Sequence, residues 1–278
     1  MQLPEKLERL LDGAARGSGR LIVLTGAGVS AASGIPTFRG PEGYWTVGSK
    51  VYHPMELATR AAFLQSPEDV WSWYLYRRGV CHRAEPNAGH HAIAGLERAF
   101  PERFLLITQN VDGLHARAGS SRTSSYEIHG NIDFLRSSER DGGPVSPIPR
   151  EIDFDWAKDR RITSEELERL RCPQTGERGR PHVLWFDETY DEENFRFESS
   201  LSAASEADLL LIVGTSAATN LPIHVAKVAG RRGAAFIAVN PEPSLFTSQA
   251  ERLERGFWLE APAETALPAI CARLQESQ

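Results

Sequence analysis

The chain has 278 residues, 41% hydrophobic and 24% charged, which suits a globular protein of one large unit or one large plus one small. Its 31 Lys and Arg stand against 37 Asp and Glu, a formal charge of -6, and the cations are scattered, so nucleic acid is disfavoured as a partner. No apolar run is long enough to span a bilayer and no signal-peptide pattern opens the chain. The three cysteines are far apart and odd in number, so the expectation is a cytoplasmic protein with no membrane partner, no disulfide framework and no complete metal site.

After charges at helical spacing in the first twenty or so residues, LIVLT (21–25) is the first apolar run bounded by turn residues. The others are FLLITQN (104–110), DLLLIVGTS (208–216) and AAFIAVN (234–240). Each predicts a strand buried on both faces. Helix-period segments lie between them, including 86–100 and 220–233, and this alternation predicts an α/β fold: a Rossmann-like parallel sheet with helices on both faces. Two stretches break the rhythm and predict a smaller inserted module. Residues 38–84 hold a Gly-rich loop and the helix-like PEDVWSWYLYRRGVCHRA; residues 131–182 are rich in Pro, Gly and charge, with Thr163 and Glu166 spaced as a capping box. The expected division is therefore 1–37, 85–130 and 183–278 for the large domain, with 38–84 and 131–182 forming the small one.

In LIVLTGAGVSAASGIPTFRG (21–40) the first strand runs into Gly26, Gly28 and Ala31, the spacing of a dinucleotide-binding turn. Glycine allows a sharp turn and close approach to a pyrophosphate, whose charge the amides of the next helical turn can receive. A tight turn without ligand would share this spacing. Pro36 cuts any helix short, and no acidic residue stands about twenty residues on to hold a ribose, which argues against an ordinary dehydrogenase. Polar groups end the other strands: Gln109, Asn110 and Asp112, then Thr215 and Ser216, then Asn240 and Glu242. Open α/β sheets bind ligands at such carboxyl ends.

GAGVSAASGIPTFRG, TQNVDGLH (108–115), IHGN (128–131), RPHVLWF (180–186), GTS (214–216) and VNPE (239–242) follow the order of sirtuin motifs. From about residue 20 to the last helix the chain resembles that family of NAD-dependent protein-lysine deacylases. The resemblance implies NAD in the cleft between the two domains and acyl-lysine proteins or peptides as substrates. It implies Gly26, Ala27, Gly28 and Ser30 as the phosphate loop and Phe38 with Arg39 as the cofactor loop. Gln109, Asn110 and Asp112 would surround the nicotinamide ribose and carboxamide, and Gly214, Thr215, Ser216, Asn240, Glu242 and Ala263 the adenosine side. Val183 and Phe186 would lie along the acyl-lysine.

His129, read alone, would be a structural histidine bonding a loop carbonyl. Within IHGN it matches the family's catalytic base, with Asn110 and Asp112 completing the catalytic set. The substrate amide oxygen attacks the nicotinamide ribose, nicotinamide leaves, and a ribose hydroxyl then needs a base, a role an imidazole can fill near neutrality. Tyr74 and Arg77 share one helix face and resemble the Tyr-x-x-Arg of sirtuins that remove succinyl and malonyl groups, a pair suited to a carboxylate; Thr37 points the same way. An aromatic core face with Arg reaching outward is the plainer alternative.

Three features depart from the family. Ser137, Arg140, Cys172 and Thr175 stand where most sirtuins have four zinc cysteines, so no metal is expected. Cys172 reads as a small buried residue, and Phe134, Leu135, Ile152, Phe154, Trp156 and Leu170 are expected to supply an apolar mini-core instead. Asp187 replaces the family's glycine after Phe186, and GTSAATNLP is one residue longer than usual, which alters both walls of the peptide channel. The expected function is NAD-dependent removal of acetyl, and also succinyl or malonyl, groups from protein lysines. An NAD hydrolase or mono-ADP-ribosyltransferase, or an NAD-binding sensor with little catalysis, are the alternatives. No sequence feature fixes an oligomeric state.

Overall fold

The computed structural model describes residues 1–36, 45–47, 50–52, 54–140, 142–153 and 155–278. In chain order these form α1 (Glu5–Ala15), β1 (Arg20–Thr25), two 3-10 turns (Ala27–Val29 and Ala31–Ser33), β2 (Trp45–Val47), β3 (Lys50–Tyr52), α2 (Pro54–Leu57), α3 (Arg60–Gln65), α4 (Pro67–Arg83), α5 (Ala88–Ala99) and β4 (Phe104–Thr108). There follow α6 (Leu114–Arg117), β5 (Ser125–Glu127), β6 (Gly130–Ser137), β7 (Ser146–Pro147), α7 (Ser164–Arg169), β8 (Gly179–Val183), α8 (Glu192–Phe195) and α9 (Phe197–Ser205). The chain closes with β9 (Ala207–Val213), α10 (Asn220–Arg232), β10 (Ala235–Val239), α11 (Leu245–Arg252), β11 (Gly256–Leu259) and α12 (Ala263–Glu276).

The main sheet has six strands in the order β11-β10-β9-β1-β4-β5, every pair parallel. Because a strand alternates its side chains, Leu21 and Val23 of β1 join one core with Leu7, Leu11, Ile93 and Ile270 of the helices on that face. Ile22 and Leu24 join the opposite core, with Leu221, Val225 and Phe246. Burial on both faces is what made these strands near-continuous apolar runs. They end earlier than the runs do, at Thr108, Val213 and Val239. Gln109, Asn110, Gly214, Thr215 and Asn240 are therefore in loops just past the carboxyl ends. The strand order reverses at β1, with β4 on one side and β9 on the other, which opens a crevice there.

The helix expected after the phosphate turn is reduced to the two 3-10 turns, as Pro36 requires. Strands β5 and β11, three and four residues long, were too short to signal themselves. His129 is not on a strand: it occupies the turn between β5 and β6. Gly130 has φ +81°, and a Cβ there would lie 2.1 Å from the His182 carbonyl, so only glycine lets β6 start against β8.

A second sheet, antiparallel in the order β7-β6-β8, holds the segment after His129. Its core combines Leu135, Ile152, Trp156, Leu170 and Cys172 with Trp71, Tyr74 and Leu75 of α4. Arg78 Nε on α4 donates to Asp133 of β6 at 2.7 Å, fixing helix to strand. The Thr163–Glu166 capping box forms and starts α7. One expectation for the mini-core changes and one lies untested. Phe134 is half-buried with the Arg122 guanidinium 4.8 Å from its ring centre, and Phe154 lies outside the described residues.

Apolar packing is also not the whole anchor. Ser137 Oγ donates to Glu177 at 2.6 Å, Arg140 donates to both oxygens of the same carboxylate, and the Glu177 amide donates to Thr175 Oγ1 at 3.3 Å. The Cys172 amide donates to the Glu177 carbonyl at 2.9 Å. The four positions aligned with zinc cysteines thus do converge, around a carboxylate. One thiol, a guanidinium and hydroxyls do not fit a zinc ion. Among the described residues no group of three or more His, Cys, Asp or Glu is placed to hold a metal.

Candidate active site

The crevice at the carboxyl ends of β1, β4, β9 and β10 is a cavity of about 650 Å³. Its floor is the turn after β1. The Gly26 amide donates to the Val213 carbonyl at 3.0 Å and the Gly28 amide to the Gly214 carbonyl at 2.9 Å. A Cβ on Gly28 would come 2.7 Å from Gly214 Cα, and Gly214 itself has φ +62°. These glycines therefore serve a backbone-to-backbone approach within the protein, and the same bareness leaves their other side open to a ligand.

Behind the turn lies a buried polar chain. Asn110 Nδ2 donates to Ser30 Oγ at 3.1 Å, Ser30 Oγ donates to Asp112 Oδ2 at 2.7 Å, and the Leu114 amide donates to Asp112 Oδ1 at 2.9 Å. Burial raises the Asp112 carboxyl above its ordinary range, against those two hydrogen bonds. Gln109 Nε2 donates to Thr215 Oγ1 at 2.9 Å, which links the loops after β4 and β9.

His129 sits where the two sheets meet, its carbonyl accepting from the Leu184 amide at 2.9 Å. Its ring is pushed down to about 4, chiefly by burial, with a hydrogen bond to the Gln109 main chain acting in the opposite direction. The imidazole is therefore neutral at physiological pH and able to accept a proton.

The outer wall comes from α4 and from the stretch after β8. Tyr74 and Arg77 both face the cavity. The Tyr74 hydroxyl accepts from Trp185 Nε1 at 3.0 Å and keeps its own hydrogen to donate, and Arg77 lies 5.2 Å from the centre of the Trp73 ring. Val183 is buried at this wall, whereas Phe186 is 52% exposed and donates its amide to the Ala58 carbonyl at 3.0 Å. Asp187 accepts from the Arg60 amide at 2.8 Å and the Ala61 amide at 3.2 Å and so caps α3. In the lengthened GTSAATNLP loop, Ala217 takes φ 61° and is buried.

Every site residue named from the sequence lines this one cavity, the glycine turn, Asn240, Glu242 and Ala263 included, apart from Phe38 and Arg39, which with Thr37 lie outside the described residues. Among the cavity residues that went unforeseen are Trp185 and Glu188, within or beside RPHVLWF, and Tyr190 and Thr219. Glu188 is tied to Arg180 by a paired salt bridge and accepts from the Trp185 amide at 3.0 Å.

A parallel sheet with a glycine turn and polar loops at its switch point defines a dinucleotide-binding fold, here with a small antiparallel sheet beside it. The Sir2 family profile matches residues 26–220, and the chain belongs to that family. It is 39% identical over 244 residues to an NAD-dependent protein deacylase of Leptospira interrogans, covering 85% of this chain and 87% of that one. NAD-dependent protein deacylase 1 of Pseudomonas aeruginosa is 40% identical over 263 residues, 92% of this chain and 95% of that one. A solved structure of a mutant Sir2 homologue with 2′-O-acetyl ADP ribose aligns with TM-score 0.78 and 32% identity, over 99% of this chain and 97% of that one.

Proposed function

We propose that this chain is an NAD-dependent protein-lysine deacylase with a preference for acyl groups ending in a carboxylate. The observation that carries the reading is the meeting, in one cavity, of neutral His129, the Ser30–Asn110–Asp112 chain, the Gly26–Gly28 turn and the Tyr74–Arg77 pair. NAD, when bound, supplies an electrophilic ribose carbon and the nicotinamide leaving group.

The residues divide the remaining work. The bare Gly26–Gly28 turn lets a phosphate approach the backbone with no side chain in the way. Asn110 and Asp112, held in register by Ser30, offer a donor and a carboxyl to the ribose and carboxamide. His129 takes a proton from a ribose hydroxyl, and its buried setting keeps it unprotonated until that moment. Arg77 and Tyr74 offer paired donors to a succinyl or malonyl carboxylate, and a partly dehydrated cavity strengthens that contact. Val183 and Phe186 line the wall along which the acyl-lysine would lie. The small module works without zinc. All three cysteines are buried thiols, and among the described residues no helix is long and apolar enough to cross a membrane, which is consistent with a cytoplasmic place of work.

The test is incubation with NAD, with and without acetyl- and succinyl-lysine peptides, following nicotinamide and O-acyl-ADP-ribose, with His129→Ala alongside. Peptide-dependent nicotinamide release, absent in His129→Ala at an unchanged melting temperature, is the expected result. Release without peptide would indicate NAD hydrolysis instead, and binding without release a sensor.

A further inference from the structure

Tyr190 comes from the acidic run that follows RPHVLWF, 61 residues from His129, yet its hydroxyl is 2.8 Å from His129 Nε2. The two rings lie 5.8 Å apart at 34°, and Tyr190 is backed by Phe197 of α9 at 6.5 Å. The phenol oxygen also lies within hydrogen-bond reach of the Thr219 side chain, whose own hydroxyl hydrogen goes to Gln109 Oε1 at 3.0 Å. His129 is bonded to the main chain of the same Gln109, so the contacts close into a circuit around the ring.

That circuit decides which nitrogen carries the proton. A neutral imidazole has one N–H and one lone pair, and a carbonyl can only accept. With Nε2 on the phenol, the bond to Gln109 falls to Nδ1–H, and the Tyr190 O–H is the donor to Nε2. We propose that Tyr190 is a positioning residue for His129: its hydroxyl fixes the ring with the proton on Nδ1 and yields the Nε2 lone pair to the ribose hydroxyl during turnover. The proposal rests on the deacylase reading above and adds to it a residue acting through the base. One lone pair accepts one strong hydrogen bond, so phenol and ribose alternate at Nε2, and Thr219 gives the displaced phenol a second partner. The other titratable groups lining the cavity include Arg77, Cys81, Asp112, Glu188, Glu242 and Glu264, and Glu127 and His182 lie on β5 and β8; a change confined to the phenol oxygen leaves all of them in place.

The experiment compares the intact chain with Tyr190→Phe and Tyr190→Leu, using 15N-histidine NMR and pH profiles of NAD-dependent turnover. In the unaltered protein His129 should show a pyrrole-type Nδ1 and a hydrogen-bonded pyridine-type Nε2. In Tyr190→Phe the hydrogen-bond shift at Nε2 should vanish. The acid limb of kcat/KM should rise by up to about one pH unit, a tenfold change in acidity, because a hydrogen bond to the neutral ring disfavours its protonation. KM for NAD and kcat should fall together by about threefold to tenfold, the competitor being gone and the ring less well held. If Tyr190 only fills space, Tyr190→Phe will match the unaltered protein in nitrogen shifts and pH profile, with only Tyr190→Leu lowering the melting temperature; that result overturns the proposal. Should the unaltered protein release no nicotinamide, the deacylase reading falls, and unchanged nitrogen shifts in Tyr190→Phe would separately overturn the role given to Tyr190.

Discussion

Arg140 and Glu177 meet through paired hydrogen bonds, Nη2 at 2.7 Å from Oε1 and Nε at 3.1 Å from Oε2, where sirtuins more often gather zinc thiolates. Arg140 and then Ser137 hold the Glu177 carboxyl down to about 2. A depressed carboxylate contributes stability above its ordinary value of 4.5 and loses it as pH falls through 2. Glu177→Gln should therefore lower the melting temperature near neutral pH and converge with the parent in strong acid. Prolonged chelation should leave the parent's melting temperature unchanged. Near-stoichiometric zinc in chelator-free protein would sink this account.

Arg77 and Tyr74 predict a selective defect. A hydrogen bond to a charged group is worth more than one between neutral groups, so Arg77→Met should cut kcat/KM for a succinyl-lysine peptide by about ten- to a hundredfold. Acetyl-lysine offers no carboxylate, and its turnover should change far less. Equal losses on both peptides, measured side by side, would show that Arg77 serves packing through Trp73 rather than recognition.

Burial pushes His90, His129 and His182 down to about 4 and His115 to about 3, from 6.5. The unfolded chain therefore binds protons before the folded one does. Their contribution to stability is complete above 6.5 and is lost as pH falls towards the folded values. All four act in the same direction, so the loss steepens as pH falls into that window. Denaturant midpoints should hold from about pH 8 to about pH 7 and then drop steeply towards about pH 5. A flat midpoint over the whole range would contradict the buried, neutral state of these rings.

How much of this was legible in the sequence follows from the range of the forces involved. Strands β1, β4, β9 and β10 announce themselves because sheets covered on both faces need unbroken apolar runs. The glycine turn and the polar loop residues are legible because local geometry and motif order constrain them. Gly28 against Gly214, Arg140 against Glu177, and Tyr190 against His129 are pairings between distant segments, and no periodicity encodes them. Tyr126 and Ile128 alternate as in a strand, yet the strand stops at Glu127 and the left-handed Gly130 follows a turn that holds His129.

Asp187 predicts how the family's glycine can be lost without breaking the site. It keeps a negative φ, so the backbone here does not demand glycine, and its carboxylate takes two of the first amides of α3 while Thr59 Oγ1 takes the Ala62 amide at 3.0 Å. Loss of an N-terminal cap costs about 0.5–2 kcal/mol, and a partner from another segment also ties α3 to the wall of the cavity. Asp187→Gly should lower stability by about that amount and speed hydrogen exchange at the Arg60 and Ala61 amides. The substituted glycine adds freedom to the stretch between Phe186 and Glu188, so KM for the acyl peptide should rise while KM for NAD stays put. Unchanged exchange at Arg60 and Ala61 would mean that the cap is dispensable and that Asp187 stands there for another reason.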